Sequence, residues 1–383
     1  MIALSLATAA PPAPSSTVYL MRHCARSTYL PDLYGGQEPK YLANYSDGGD
    51  LPDWGVAPTL CTARGSRIVQ GEGRALRSEV LARMGPQKHL QVVYDAGSRR
   101  DNTTALDFLE GVGLPWVKRD GDAEIFTPTW PGCPELTSTA KKAAVRAQLT
   151  AVAKPRDYEV RVAALQQLLG HGVANFTAMP DVVAGGPVGL LGGSFVASSW
   201  IEAMLLQYGA GLPVGYGRVT PTMLYEMLEL HVYYRAVADK PFAVEQRGQS
   251  NLLAHMLREL QAVDNGVSLY VGHDTNLDGL AVMLSLSWPK APPYPANTTV
   301  PGGLLRLTTR GAGDAATVDA AFLYPKTFAD DDGAVAEAAA LFPNGKSTMP
   351  LAELVSLANA RIDPRCVRLS AWLQPVEETL NSV

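Results

Sequence analysis

The chain has 383 residues, 47% of them hydrophobic, which is enough for two domains or for one large domain carrying an insertion. Its 32 Lys and Arg against 37 Asp and Glu leave a formal net charge of −5, so no basic surface invites nucleic acid or an anionic membrane. No internal repeat, charge run or low-complexity tract breaks it, although 35 Gly and 28 Pro imply many loops.

In chain order, residues 1–16 read as a signal peptide and linker. Met1 to Ala10 is short and apolar, Ala7-Thr8-Ala9 suits signal peptidase, and Pro11 to Pro14 follows, though a basic n-region is missing. A strand is expected at 17–21, ending in Arg22-His23-Cys24-Ala25-Arg26. A helix over 64–83 starts behind Thr62 and sets Ile68, Leu76 and Val80 on one face. A strand at 90–94 and a helix at 101–111 come next. Between 134 and 247 the pattern predicts helices at 137–152, 157–169, 195–208 and 220–237 with no strand, which makes this stretch a smaller helical lobe inserted into an α/β core of 17–133 and 248–383. Within it Val188 to Leu206 is apolar, but Gly192, Gly193, the serines and Glu202 argue for a buried loop and helix, not a membrane span. A helix at 248–263 and a strand at 268–272 lead into Gly272-His273-Asp274-Thr275-Asn276; a helix at 275–285 and a strand at 304–308 complete the pattern, with no motif beyond Phe322.

Two apolar runs therefore end in polar residues able to carry chemistry, and they read as parallel strands whose carboxyl ends meet, the usual place for a site in an open α/β sheet. Arg-His-x-x-Arg sets one nucleophile between two fixed positive charges, as an incoming phosphate dianion requires. Either motif alone is weak, since a short Arg-His pairing arises by chance and a lone His-Asp is often a structural hydrogen-bonded pair.

Together, in this order, they resemble the histidine acid phosphatase family, with signatures Arg-His-Gly-x-Arg-x-Pro and His-Asp. Leu60-Cys61-Thr62-Ala63-Arg64-Gly65 looks like the family's Leu-Thr-x-x-Gly helix entrance, and Arg100-Asp101-Asn102-Thr103-Thr104-Ala105 like its Arg-Thr-x-x-(Ser/Thr)-Ala segment. Gly272 to Leu277, Trp288, Pro301-Gly302-Gly303, Glu202 to Gln207, Gly215 to Arg218 and Leu230-His231 are similar to the periplasmic phytase and glucose-1-phosphatase branch, so the likeness covers about residues 17–310. It implies a phosphoglycerate-mutase-like three-layer α/β/α core with a mostly α-helical lobe inserted. It also implies a metal-independent acid phosphatase with no cofactor, acting on a small-molecule phosphate monoester such as phytate, another inositol phosphate or a sugar phosphate. Such an enzyme is secreted or periplasmic, monomeric, and binds neither nucleic acid nor membrane.

The resemblance assigns His23 as the nucleophile that becomes phosphohistidine and Asp274 as the proton donor, with Arg22, Arg26, Arg100 and His273 binding phosphate. Arg99 competes with Arg100, but the spacing to Thr104-Ala105 favours the latter. Glu202, His231 and Arg247 align with substrate-contacting residues. Thr275 and Asn276 either orient the acid or substrate or cap a helix. Where the branch carries Pro-Thr-Lys this chain has Thr28-Tyr29-Leu30, so a cation is lost and Tyr29 offers a flat wall to the substrate. Cations around Asp274 favour its ionised form, which predicts an acid pH optimum. A phosphotransferase or mutase of the wider superfamily and a catalytically silent phosphate-binding protein are the alternatives.

Four cysteines allow three pairings, and their wide spacing excludes a compact zinc knuckle. The resemblance makes Cys133 and Cys366 disulfide cysteines. Cys24, in place of the motif glycine, and Cys61 depart from the family, and either a bridge between them or a buried free thiol fits. Sequons at Asn44, Asn102, Asn175 and Asn297 favour a eukaryotic secretory route if used, although a glycan on Asn102 would crowd Arg100.

Overall fold

The run Thr17 to Met21 has no polar alternation because it is buried on both faces, the condition that favours the interior of a sheet. It forms most of β1 (Ser15–Arg22) in a computed structural model that describes residues 15–28, 40–84, 89–119, 123–172, 175–178, 192–262 and 266–368. The other strands are β2 (Leu90–Tyr94), β3 (Trp116–Lys118), β4 (Gly266–Gly272), β5 (Leu304–Arg310), β6 (Thr317–Pro325), β7 (Val335–Ala339) and β8 (Thr348–Pro350). They order as β3-β2-β4-β1-β5-β6-β7, with β8 paired to β6. β1 lies parallel to β4, with Arg22 opposite Gly272, and antiparallel to β5 on its other side. β2 also runs parallel to β4, so the carboxyl ends of three strands open at one edge.

The helices are α1 (Lys40–Ala43), α2 (Ala63–Arg83), α3 (Arg99–Val112), α4 (Ala123–Phe126), α5 (Ser138–Ala151), α6 (Tyr158–Leu169), α7 (Gly193–Ala210), α8 (Pro221–Ala238), α9 (Phe242–Gln261), α10 (Asp274–Leu284) and α11 (Leu351–Asn359). On one sheet face Tyr19, Met21, Val92 and Leu269 pack with Val69, Leu76 and Phe108 of α2 and α3. On the other, Val18, Leu20 and Tyr270 join Leu252, Met256, Leu277 and Leu280 of α9 and α10, giving the three-layer α/β/α core. Each such side chain contributes roughly 1.5–3 kcal/mol by leaving water. Trp200, Met204 and Leu228 of α7 and α8 belong to the same core, so the helical stretch packs continuously onto that face.

Within 134–247 the described residues form helices and no strand. α9 begins at Phe242, six residues before the expected start at 248, because Pro241 stands at its N-cap, where a missing N–H costs nothing. The four expected strands are present as β1, β2, β4 and β5, while β3 and the antiparallel side from β6 to β8 are additional. Among the described residues no helix is long and apolar enough to cross a membrane. The expected signal peptide, residues 1–14 at least, lies outside the described residues, as does Tyr29.

All four cysteines are paired, Cys24 with Cys61 and Cys133 with Cys366, so the free-thiol alternative for Cys24 and Cys61 falls. The first bridge fastens the loop after β1 to the entrance of α2. Thr62 adds to it: its N–H and hydroxyl both donate to the Ala25 carbonyl, at 3.0 and 3.1 Å, while its hydroxyl oxygen accepts from the Gly65 N–H as the helix cap. Gly65 has to be glycine, since a Cβ there would stand 2.2 Å from the Ala25 oxygen.

Candidate active site

The parallel β1–β4 pair brings the two motifs together, and the His23 N–H donates to the Gly272 carbonyl at 2.9 Å. His23 is buried, and its Nδ1 donates to the Cys24 carbonyl at 2.9 Å, which leaves Nε2 with a free lone pair. Burial, then the positive charge of Arg100, Arg26 and Arg22, holds the imidazole well below its ordinary pKa, so it stays neutral in acid. The His273 ring sits edge-on to it with centroids 5.5 Å apart.

Arg22 is fully buried at the carboxyl end of β1. Its guanidinium donates to the Thr299 carbonyl and to Glu202 Oε1 and lies 3.3 Å from Asp274 Oδ2. Arg26, also buried, donates to the Ser27 carbonyl at 2.9 Å. Arg100, in the first turn of α3, approaches His273 Nδ1 at 3.3 Å, whereas Arg99 is exposed, so the arginine at the site is Arg100. The other His273 nitrogen, Nε2, lies 3.4 Å from Asp101 and 3.5 Å from Asp95. Burial pushes the Asp101 carboxyl up to about 6. Asp95, Asp101 and His273 each offer a ligand atom within 4.8 Å of one another, the one group among the described residues with the donors for a metal ion.

Asp274 opens α10. Its Oδ1 accepts from the Thr275 N–H at 2.8 Å, and its Oδ2 lies 3.3 Å from both Arg22 and Arg235. Burial favours the neutral acid, but the guanidinium groups of Arg235 and then Arg22 hold the carboxyl well below the usual range. Glu202 of α7 bridges Arg22 and the ring of His231, whose Nε2 lies at 3.5 Å and whose Nδ1 meets the Ser198 hydroxyl at 2.8 Å.

In a search of the solved structures, the Hafnia alvei phytase in complex with myo-inositol hexakis sulphate matches with a TM-score of 0.78 and 21% identity over 93% of this chain and 98% of that one. A phytase from Klebsiella sp. ASR1 matches with a TM-score of 0.79 and 18% identity over 95% and 99%. The chain has the histidine acid phosphatase fold. A Bifidobacterium longum multiple inositol polyphosphate phosphatase matches more distantly, with a TM-score of 0.52 and 12% identity over 95% and 96%. No protein-family model and no curated relative matches the sequence.

On this histidine acid phosphatase fold, His23, Arg22, Arg26, Arg100, His273, Asp274, Glu202 and His231 gather around one sheet edge, while Asn276 and Arg247 meet protein partners. Asn276 is buried: its Oδ1 accepts from the His273 N–H at 2.9 Å, and its Nδ2 donates to the Phe126 carbonyl and to Gln249 Oε1. It takes part in the capping box of α10 with its polar atoms used inside the protein, the arrangement expected of the capping alternative. Arg247 donates to the Pro128 carbonyl at 3.0 Å and lies 3.7 Å from Glu135, contacts that turn it to the 128–135 segment and not to Asp274. Thr275 is exposed beside Asp274.

Three residues of the site escaped the sequence reading: Arg235, Asp95 and Asp101. Arg235 lies four residues after His231 on α8, so the helical period places both on one face. Asp95 follows the last residue of β2, the same position relative to its strand that His23 and His273 hold to theirs.

Proposed function

We propose that the protein is an acid phosphatase that hydrolyses phosphate monoesters through a phosphohistidine on His23. The observation that carries this reading is the neutral, tautomer-fixed His23 surrounded by Arg22, Arg26 and Arg100 with Asp274 nearby. A phosphomonoester repels nucleophiles until its oxygens are neutralised, which three guanidinium groups can do.

Nε2 of His23 attacks phosphorus, the P–N bond forms as the P–O bond to the alcohol breaks, and the departing oxygen takes a proton from Asp274. The resulting Asp274 carboxylate then removes a proton from water as its oxygen attacks phosphorus. The P–N bond breaks, phosphate leaves, and Asp274 is protonated again. Arg100 turns from His273 to the phosphate, which leaves the edge of the His273 ring that carries Nδ1 facing the phosphate as well. Cations keep free Asp274 ionised, so the proton-bearing form is populated in acid and activity should fall towards alkaline pH. Such a route asks for no metal ion.

Inositol phosphates are the first substrates to test, given the fold shared with two phytases and with an inositol polyphosphate phosphatase. Sugar phosphates come next. Two disulfides suit an oxidising compartment, in line with export. A panel of phosphate esters at acid pH with chelator present, comparing wild type with His23→Ala and Asp274→Asn, tests the reading. The first variant should lose essentially all phosphate release and the second about 100- to 10,000-fold on esters with poor leaving groups. Retained release by His23→Ala refutes the nucleophile, and loss of wild-type activity on chelation refutes metal independence.

A further inference from the structure

Asp274 Oδ2 lies between two guanidinium groups, each at 3.3 Å, and the two have different anchors. Arg22 belongs to the phosphate-facing motif and is held by Glu202 and the Thr299 carbonyl. Arg235 reaches Asp274 from α8 through Nη1, which also lies 3.4 Å from Asp239, while its Nε donates to Asp278 Oδ2 at 2.6 Å. Lys240 holds the second Asp278 oxygen at 2.8 Å. Arg235 and Asp278 are both more than nine-tenths buried, so this brace between α8 and α10 is screened little by solvent.

When a phosphate dianion enters, Arg22 has a better partner than a carboxylate. Arg235, tied to Asp278, does not need to move. A charge that cannot titrate thus stays against the proposed proton donor through the reaction. We propose that Arg235 is a positioning residue for Asp274, holding its carboxyl in place on the leaving-group side and setting the pH above which the reaction lacks its acid. The inference rests on the reading of Asp274 as proton donor.

The other charged or titratable groups around Asp274 do not supply the same effect. His23 and His273 flank it, and His23 is kept neutral. Glu202, from α7, is engaged by Arg22 and His231. His231, from α8, is lowered by burial and so loses its charge early. Asp239, pushed up to about 6 by burial, and Asp278 are both partners of Arg235 itself. Glu245 of α9, pushed up to about 8 by burial and by Asp278 and Asp239, is neutral in acid. Arg22 and Arg235 are the fixed cations in contact with the donor.

The test is kcat/KM against pH for 2-glycerophosphate, whose alcohol leaves poorly without a proton, with wild type, Arg235→Gln and Arg235→Lys. Substrate ionisation is common to all three, so differences belong to the enzyme. Removing the charge should move the alkaline limb upward by about one pH unit or more, while the lysine variant keeps it near the wild-type position. An unmoved limb in an active, folded Arg235→Gln variant refutes the proposal, as does a lysine variant that shifts as far as the glutamine one. Should Arg235→Gln fail to fold, Asp278→Asn supplies the opposite sign: it releases Arg235 towards Asp274 and should move the limb down, and no movement overturns the assignment. Wild type that releases no phosphate, or release that survives His23→Ala, defeats the phosphatase reading and this proposal with it. A His23-dependent enzyme with an unmoved limb defeats Arg235 alone.

Discussion

Replacing Cys24 and Cys61 together by alanine removes the covalent tie between the loop that carries His23 and the entrance of α2. The bridge closes a loop with a sequence separation of 37, for which chain entropy gives about 4 kcal/mol of stabilisation. Cys133–Cys366 has a separation of 233, which gives about 5.5 kcal/mol by the same relation. The second pair shares its apolar cluster with Trp130 and, among the described residues, with none of the motifs. Both double variants should therefore lower the urea midpoint, the Cys133/Cys366 variant more, yet only the Cys24/Cys61 variant should impair catalysis. Backbone ties between Ala25 and Thr62 and the bridge between Arg26 and Cys61 survive, so the loop loosens without being lost. A displacement of His23 or Arg26 near 1 Å costs up to about 100-fold in kcat. Urea unfolding and kcat at acid pH, for wild type and both variants, decide the matter. An unchanged midpoint in the Cys24/Cys61 variant, or an equal kcat loss in both, refutes the reasoning.

Glu245→Gln should stabilise the protein at pH 7 and leave it unchanged at pH 4. The buried carboxyl, raised from 4.5 to about 8, keeps its proton while the unfolded chain gives its own up, so wild-type stability falls between those values by about 1.4 kcal/mol per pH unit. Urea midpoints across that range should show the slope in wild type and a shallower one in the variant. Gly65→Ala, by driving a methyl into the Ala25 carbonyl, should cost about 1–3 kcal/mol and lower kcat, read by thermal unfolding and initial rates. Asn276→Ala should cost about 0.5–2 kcal/mol as a lost cap while KM stays within about twofold; a tenfold rise in KM would return Asn276 to the substrate.

The motif strands were legible because a sheet interior buried on both faces forces an unbroken apolar run, and because His23 and His273 stand where those runs stop. Arg235 was not, since an arginine in a helix normally belongs to a solvated face, and here its burial depends on Asp278, 43 residues later. Asn276 could be read either way until Phe126 and Gln249 were seen to take its amide. β7, Val-Ala-Glu-Ala-Ala, is alanine-rich and carries little strand preference of its own; pairing with β6 makes it a strand. The Cys24–Cys61 bridge depended on two loops meeting, which spacing could permit but not decide.

β1 is made well before its neighbours in the sheet, β4 and β5. At ~5–20 residues per second, a ribosome needs roughly 15–60 s to travel from Arg22 to Arg310. Throughout that interval an apolar strand with both edges open has no sheet to join, a template for pairing with other nascent chains. The ends of β1 and β4, with His23 and His273-Asp274, come together only once β4 has been made, so chains that stop before Gly266 carry the first motif without the second.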